Sequence, residues 1–117
     1  MNNFGLNKTH KILDRSEFVR LSANGRKIQD PYFIVIFMPG KSESSRLGIT
    51  VSKRVGNAVV RNRIKRLIRE WFRMNKSGIG GCWDVNVIAK KPAAGLITPQ
   101  VFMSLEKIFG KLGSVRN

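Results

Sequence analysis

One stretch limits what this chain can become more than any other: Ser52-Lys53-Arg54-Val55-Gly56-Asn57-Ala58-Val59-Val60-Arg61-Asn62-Arg63-Ile64-Lys65-Arg66-Leu67-Ile68-Arg69-Glu70-Trp71-Phe72-Arg73. From Ala58 onward Val60, Ile64, Leu67, Ile68 and Trp71 recur at helical spacing, a single apolar stripe that has to be buried against something. Gly56-Asn57 supplies a turn and an N-cap, because an Asn side chain accepts from an orphan amide of the first helical turn. The polar arc is almost purely cationic. Between Lys53 and Lys76 stand nine Lys or Arg and one acid, Glu70. Arg61, Lys65, Arg69 and Arg73 repeat every four residues, and Arg63 and Arg66 occupy the rest of the arc.

That charge is badly placed for a helix selected for stability alone. Arg61 and Arg63 fall in the first turns, where the helix dipole is positive and favours Asp or Glu. Like charges at i, i+4 repel by a few tenths of a kcal/mol per pair, about as much as an opposite pair gains. Local rules broken without local compensation mark functional sites, and a polyanion crossing this turn supplies the compensation. A basic face is most often merely solvated, and a basic amphipathic helix also suits membranes or calmodulin. Neither reading accounts for Asn62 between two arginines, nor for the pair Lys53-Arg54 ahead of the turn. Nucleic acid is the favoured partner.

Composition agrees. The chain has 117 residues, the size of one domain over residues 1–117, and 42% of them are hydrophobic, enough for a core. A net charge of +15 and a pI near 11.2 call for an anionic partner. No apolar run approaches the roughly 18 residues of a membrane span, so no membrane partner is expected. Residues 1–10 lack the apolar core of a secretory signal and read as a flexible tail. The single cysteine, Cys82, permits no intrachain disulfide, points to a reducing, cytoplasmic setting, and reads as a small core residue. One His (His10, in the tail) and one Cys do not make a zinc site, and no triad or paired carboxylate is visible. No catalytic and no metal-ligating residue is assigned, and no cofactor is expected on a protein motif.

The remaining elements follow from periodicity. Asp14 with Glu17 three residues on forms a capping box opening a helix that runs to Asn24, with Gly25 as a left-handed terminator. A short edge strand is expected near Lys27-Ile28. The uninterrupted run Tyr32–Met38 reads as a strand covered on both faces. Arg46–Ser52 alternates as a strand, with an antiparallel hairpin to the preceding strand as the simplest pairing. Trp83–Ala89 is a further strand, and strand–helix–strand order from Arg46 to Ala89 also allows those two strands to pair in parallel. Residues 75–81 form a Gly-rich loop, which follows a helix and so does not read as a phosphate cradle. Thr98 is expected to cap, with Pro99 in the first turn, a last helix that carries Val101, Phe102, Leu105, Ile108, Phe109 and Leu112 on its core face. The sum is an α+β domain: three helices and a small, mostly antiparallel four-stranded sheet.

The run from Lys53 to Glu70, with Arg61-Asn62-Arg63 at its centre, strongly resembles the signature of the bacterial ribonuclease P protein subunit. Arg46-Leu47-Gly48 and Val87-Ile88-Ala89-Lys90-Lys91 match on either side. The resemblance implies a fold like the second domain of ribosomal protein S5, with a left-handed β-α-β crossover where topology rules alone give a right-handed one. It implies an endoribonuclease assembly that removes 5′ leaders from precursor tRNA, in which the RNA subunit performs the hydrolysis with bound Mg2+. Its partners would be ribonuclease P RNA and precursor tRNA, with no stable protein partner. By position, Lys53, Arg54, Asn57, Arg61, Asn62, Arg63, Lys65, Arg66 and Arg69 would face that RNA. Phe18, Ser22, Ile34 and Ile36 would line a cleft for the leader, Phe18 being equally suited to a plain core role. Some family members carry aromatic rings where this chain has Ser22 and Ile36, which implies weak preference among leader sequences here. A ribosomal or general structured-RNA-binding protein is the alternative, and a free-standing nuclease is disfavoured by the missing acid–base constellation.

Overall fold

A computed structural model of the chain describes residues 14–40, 44–79 and 82–113. The expected tail at 1–10 with His10, and parts of the loops after residue 40 and before residue 82, lie outside the described residues. The order is α1 (Arg15–Asn24), β1 (Arg26–Gln29), β2 (Phe33–Pro39), β3 (Arg46–Thr50), α2 (Ala58–Asn75), β4 (Trp83–Ala89) and α3 (Thr98–Gly113). Short 3-10 turns occupy Lys76–Gly78 and Lys91–Gly95.

The sheet runs β1-β2-β4-β3, with β2 antiparallel to β1 and β4, and β3 parallel to β4. The expected β2–β3 hairpin does not form. β4 lies between them, Val35 facing Val87 on one side while Ile49 faces Val87 on the other. The reason is the stripe of α2: a crossover helix that packs back on the sheet brings the strand after it parallel to the strand before it. The most enclosed strand, β4, with Trp83 to Val87 all buried, then takes an interior place.

α2 and α3 cover one face. Ile64, Leu67, Ile68, Trp71 and Phe72 of α2 join Val101, Leu105, Ile108, Phe109 and Leu112 of α3 over Phe33, Val35, Phe37, Leu47, Val85 and Val87. Trp71 and Phe109 stack at 4.9 Å between ring centroids, and Trp83 meets Phe37 edge-on at 5.4 Å. Asp30 fixes the entry to β2: one carboxylate oxygen accepts from the Tyr32 and Phe33 amides, both at 2.8 Å, and the other accepts from the hydroxyl of buried Ser104 on α3.

α1 alone covers the other face, and incompletely. At 10 residues it is about 15 Å long. β2 is therefore not covered on both faces as its composition suggested: Phe33, Val35 and Phe37 are fully buried, while Ile34, Ile36 and Met38 are half-buried. The capping box forms as expected: the Glu17 amide donates to Asp14 at 3.0 Å, and the Asp14 amide to Glu17 at 2.8 Å. These contacts hold the Asp14 carboxyl below its ordinary range, the Glu17 amide contributing most and the Ser16 hydroxyl next.

Gly25 departs from expectation. Its backbone is extended (φ −75°, ψ 157°), so no left-handed turn requires glycine. Close approach does: a Cβ here would sit 2.5 Å from Ile36 Cγ2 and 2.6 Å from the Leu21 carbonyl. Two smaller expectations also shift. Cys82 is half-buried, not a core residue. The cap of α3 falls on Ile97, whose carbonyl accepts from the Val101 amide and whose amide is bonded by the Gln100 side chain at 3.0 Å, so Thr98 is already helical.

Candidate nucleic-acid interface

The turn between β3 and α2 is a short anchored loop. Val51 and Val55 are buried at its ends, and the Val55 amide donates to the Ser52 carbonyl at 3.0 Å. Lys53 and Arg54, between those anchors, are pushed into solvent. Gly56 is needed for packing, since a Cβ there would sit 2.8 Å from the Val60 side chain. Asn57 then caps α2, its Oδ1 accepting from the Val60 amide at 3.0 Å. No acid stands in the first turn. The positive end of the helix dipole, two cationic side chains and an exposed carboxamide thus share one corner of the molecule.

At 100° per residue the polar arc of α2 sorts itself. Asn62, Arg66, Arg69 and Arg73 are exposed on the outermost line. Arg61 and Lys65 are half-buried on one shoulder, with Arg61 Nε donating to the Gly56 carbonyl at 3.1 Å. Arg63 lies on the opposite shoulder, where a terminal guanidinium nitrogen donates to the Leu96 carbonyl at 2.8 Å. The four-residue repeat 61-65-69-73 is therefore not one straight stripe: its first half is part of the protein's own packing, and the straight outer row begins at Asn62.

The second candidate surface is the half-covered face beneath α1. Ile34, Ile36 and Met38 of β2 share it with Asp84, Asn86 and Ile88 of β4 and with Arg46, Gly48 and Thr50 of β3, by strict alternation and register. α1 is pinned across its upper end. Arg46 makes a two-pronged bond to Asp84, Nε to Oδ1 at 3.0 Å and Nη2 to Oδ2 at 2.9 Å, and the same guanidinium contacts Glu17. Arg20 reaches Asp84 from α1 at 3.9 Å. The bond to Asp84, supported by Glu17, holds the Arg46 guanidinium above its ordinary value.

Arg20 faces the Asp84 end of β4, and helical geometry puts Phe18 and Ser22 on the flank of Leu21 away from Arg20. Phe18, Ile34 and Ile36 are half-buried and Ser22 is exposed. Ile36 lies under the end of α1, against Gly25. Ile34 and Ile36 share the sheet face that α1 half-covers. Phe18 is neither fully core nor free.

The Ribonuclease P family matches residues 6–113 of this chain. The ribonuclease P protein component of Desulforapulum autotrophicum is 46% identical over 112 residues, covering 96% of each chain. That of Staphylococcus aureus is 41% identical over 113 residues, covering 96% of this chain and 95% of its own. The chain belongs to the ribonuclease P protein family. Solved structures agree: the Staphylococcus aureus RNase P protein superposes with a TM-score of 0.80 at 39% identity, covering 92% of this chain and 98% of that one. The Thermotoga maritima RNase P protein gives 0.79 at 32% identity, covering 91% and 98%.

As a ribonuclease P protein it is a component of an endoribonuclease complex acting in tRNA processing, and its partner is ribonuclease P RNA. Five of the described acids have partners within the fold. Asp14 caps α1, Glu17 and Asp84 hold Arg46, Asp30 ties β2 to α3, and Glu70 lies 3.9 Å from Arg73. Among the described residues no group of three or more His, Cys, Asp or Glu could hold a metal ion, and no helix is long and apolar enough to cross a membrane.

Sequence reasoning left out several residues that the register places with the cleft set. Thr50, Asn86 and Ile88 lie on its floor. Lys90, bonded to Gln29 at 2.7 Å and to the Asp30 carbonyl at 2.8 Å, lies at its rim. Alternation from Ile34 would have found them once β2 was known to pair with β4. Arg46 was noticed as a motif residue, but its role in docking α1 depends on Asp84, 38 residues away.

Proposed function

We propose that this protein binds ribonuclease P RNA through the turn at Lys53-Arg54-Asn57 and the outer row Asn62, Arg66 and Arg69, with Arg61, Arg63 and Lys65 on the shoulders. The observation that carries this reading is the acid-free, positive end of α2, ringed by side chains that the fold holds outward. Arginine forks match phosphate oxygens in charge and geometry. Asn62 offers a donor and an acceptor to sugar or base edge. Arg61 and Arg63 each spend one nitrogen on a backbone carbonyl, which stiffens the guanidinium and leaves its remaining donors for RNA.

The groove beneath α1 holds the single-stranded 5′ leader of precursor tRNA, with Phe18, Ile34 and Ile36 as apolar contacts and Ser22 at the mouth. A groove with a ring and basic margins suits single strands. The hydrolysis belongs to the RNA subunit and its Mg2+. The five acids named above hold contacts within the fold, and no protein residue is assigned a catalytic or metal-holding role. Residues 1–117 form one RNA-binding domain, working in the cytoplasm where precursor tRNA is made.

The test is the salt dependence of RNA binding. With roughly six to eight phosphates neutralised, log K for ribonuclease P RNA falls with log salt by about 0.7 to 0.9 units per contact. Arg66→Ala, at an exposed position with no partner among the described residues, lowers that slope by about one contact's worth and leaves thermal stability unchanged. A flat salt series, or an Arg66→Ala protein that melts early and binds normally, contradicts the reading.

A further inference from the structure

The cleft-side row of β4 reads Asp84, Asn86, Ile88, and its middle member is not accounted for by the fold. Asp84 is satisfied by Arg46. Asn86 lies opposite Ile36 on one neighbouring strand and Gly48 on the other, and only 5% of its surface is exposed. Its Oδ1 accepts from the Thr50 hydroxyl at 3.1 Å. Its two amide hydrogens have no acceptor among the described residues. Arg20 Nε is the one enclosed, unpartnered side-chain polar atom among them, so the Asn86 amide nitrogen itself reaches solvent, at the floor of the cleft.

A carboxamide in the most covered strand, with no acceptor for its amide among the described residues and only its nitrogen reaching solvent, contributes little to the fold. Valine, close in size and better suited to a strand, would pack there without it. Such a departure from local preference calls for a ligand.

We infer that Asn86, oriented by Thr50, hydrogen-bonds the edge of one unstacked nucleobase of the leader and thereby sets a base preference at that nucleotide. This rests on the leader reading of the cleft proposed above, and adds a specificity determinant to it. The geometry supplies both parts of base recognition. Ile34, Ile36 and Ile88, one residue away along or across the sheet face, give an apolar bed for the face of a base. Asn86 between them presents amide donors to a ring nitrogen or carbonyl, and the second lone pair of Oδ1 accepts from an exocyclic amine or imino group. Thr50 holds the carboxamide in one orientation, so the donors are aimed before the base arrives. The apolar contacts tolerate any base; the hydrogen bond does not.

The experiment uses the protein assembled with a bacterial ribonuclease P RNA. Its probes are precursor tRNAs that differ at single leader nucleotides (four bases and an abasic residue at each), with mature tRNA as the leaderless control. One leader position shows a spread of about fivefold in affinity among bases, the size of one hydrogen bond, and the abasic residue falls at the weak end. Asn86→Val collapses that spread at that position alone, leaves mature tRNA binding unchanged, and does not lower the melting temperature. Thr50→Val, at an exposed position that tolerates the change, narrows the same spread and provides the test should Asn86→Val fold poorly. A spread that survives in both variants overturns the inference. So does a wild-type protein that binds precursor more tightly than mature tRNA with no base dependence anywhere, an outcome that leaves the leader reading intact. Equal wild-type affinity for precursor and mature tRNA removes the leader reading itself, and the inference with it.

Discussion

Truncating Arg46 to alanine tests whether α1 is docked by the charge network or merely rests on the sheet. The Asp84 side chain is 3% exposed, and Arg46 supplies both of its close bonds, at 2.9 and 3.0 Å. Without Arg46 the carboxylate keeps, among the described residues, only Arg20, whose nearest nitrogen is 3.9 Å away and whose side chain is 38% exposed. Removing one partner of a buried pair typically costs about 3–5 kcal/mol, because the other charge is left uncompensated. Arg20 can swing closer and Arg46 itself is 21% exposed, which places this pair at the lower end, about 3 kcal/mol. For a chain of this length that is a fall in Tm of about 12 °C. Urea unfolding of Arg46→Ala, Asp84→Leu and Arg46→Met/Asp84→Leu reads it directly. The double variant recovers most of the loss, since a well-packed apolar pair replaces a buried ion pair at little net cost. A single-variant loss under about 1 kcal/mol, with the two changes simply additive, would make the pair an ordinary surface bridge that does not dock α1.

Two further outcomes separate structural from RNA-binding roles. Asn57→Ala costs about 1 kcal/mol of stability through loss of the α2 cap, whereas Asn57→Asp keeps the cap and suits the dipole but sets an anion against phosphate. Urea unfolding and filter binding on the pair should therefore show the Asp variant stable and weak for RNA; tight binding by Asn57→Asp would take Asn57 out of the interface. Gly25→Ala destabilises by about 1–3 kcal/mol, because its Cβ meets the Leu21 carbonyl and Ile36, and a Tm equal to wild type would mean α1 shifts freely on the sheet.

The elements of this protein were legible where a local rule governs them. The Asp14–Glu17 capping box, the Asn57 cap and the α2 and α3 stripes each rest on residues within a few positions of one another, and each stands where the spacing put it. Pairing was not legible in the same way. A hairpin between β2 and β3 is locally the simplest choice, and it loses to the burial demanded by α2 and β4, a demand that no short window contains. Gly25 shows a right residue with the wrong reason: glycine at a helix end suggests a left-handed turn, while the actual constraint, Ile36, lies 11 residues away on another element. The candidate site divides along the same line. The basic turn and helix are contiguous in sequence and were visible as one signal. The proposed leader groove draws on α1 and three strands, so Thr50, Asn86, Ile88 and Lys90 emerge only from register.

As proposed, this protein serves an RNA enzyme and does no chemistry itself. Reconstitution tests it most directly: bacterial ribonuclease P RNA and precursor tRNA are mixed at low Mg2+, where the phosphate repulsion between the two RNAs is poorly screened, and purified protein is added. Leader cleavage accelerates as protein is added, saturates at one protein per RNA, and is absent with protein alone. An unchanged cleavage rate, or leader removal by the protein without the RNA, would contradict it.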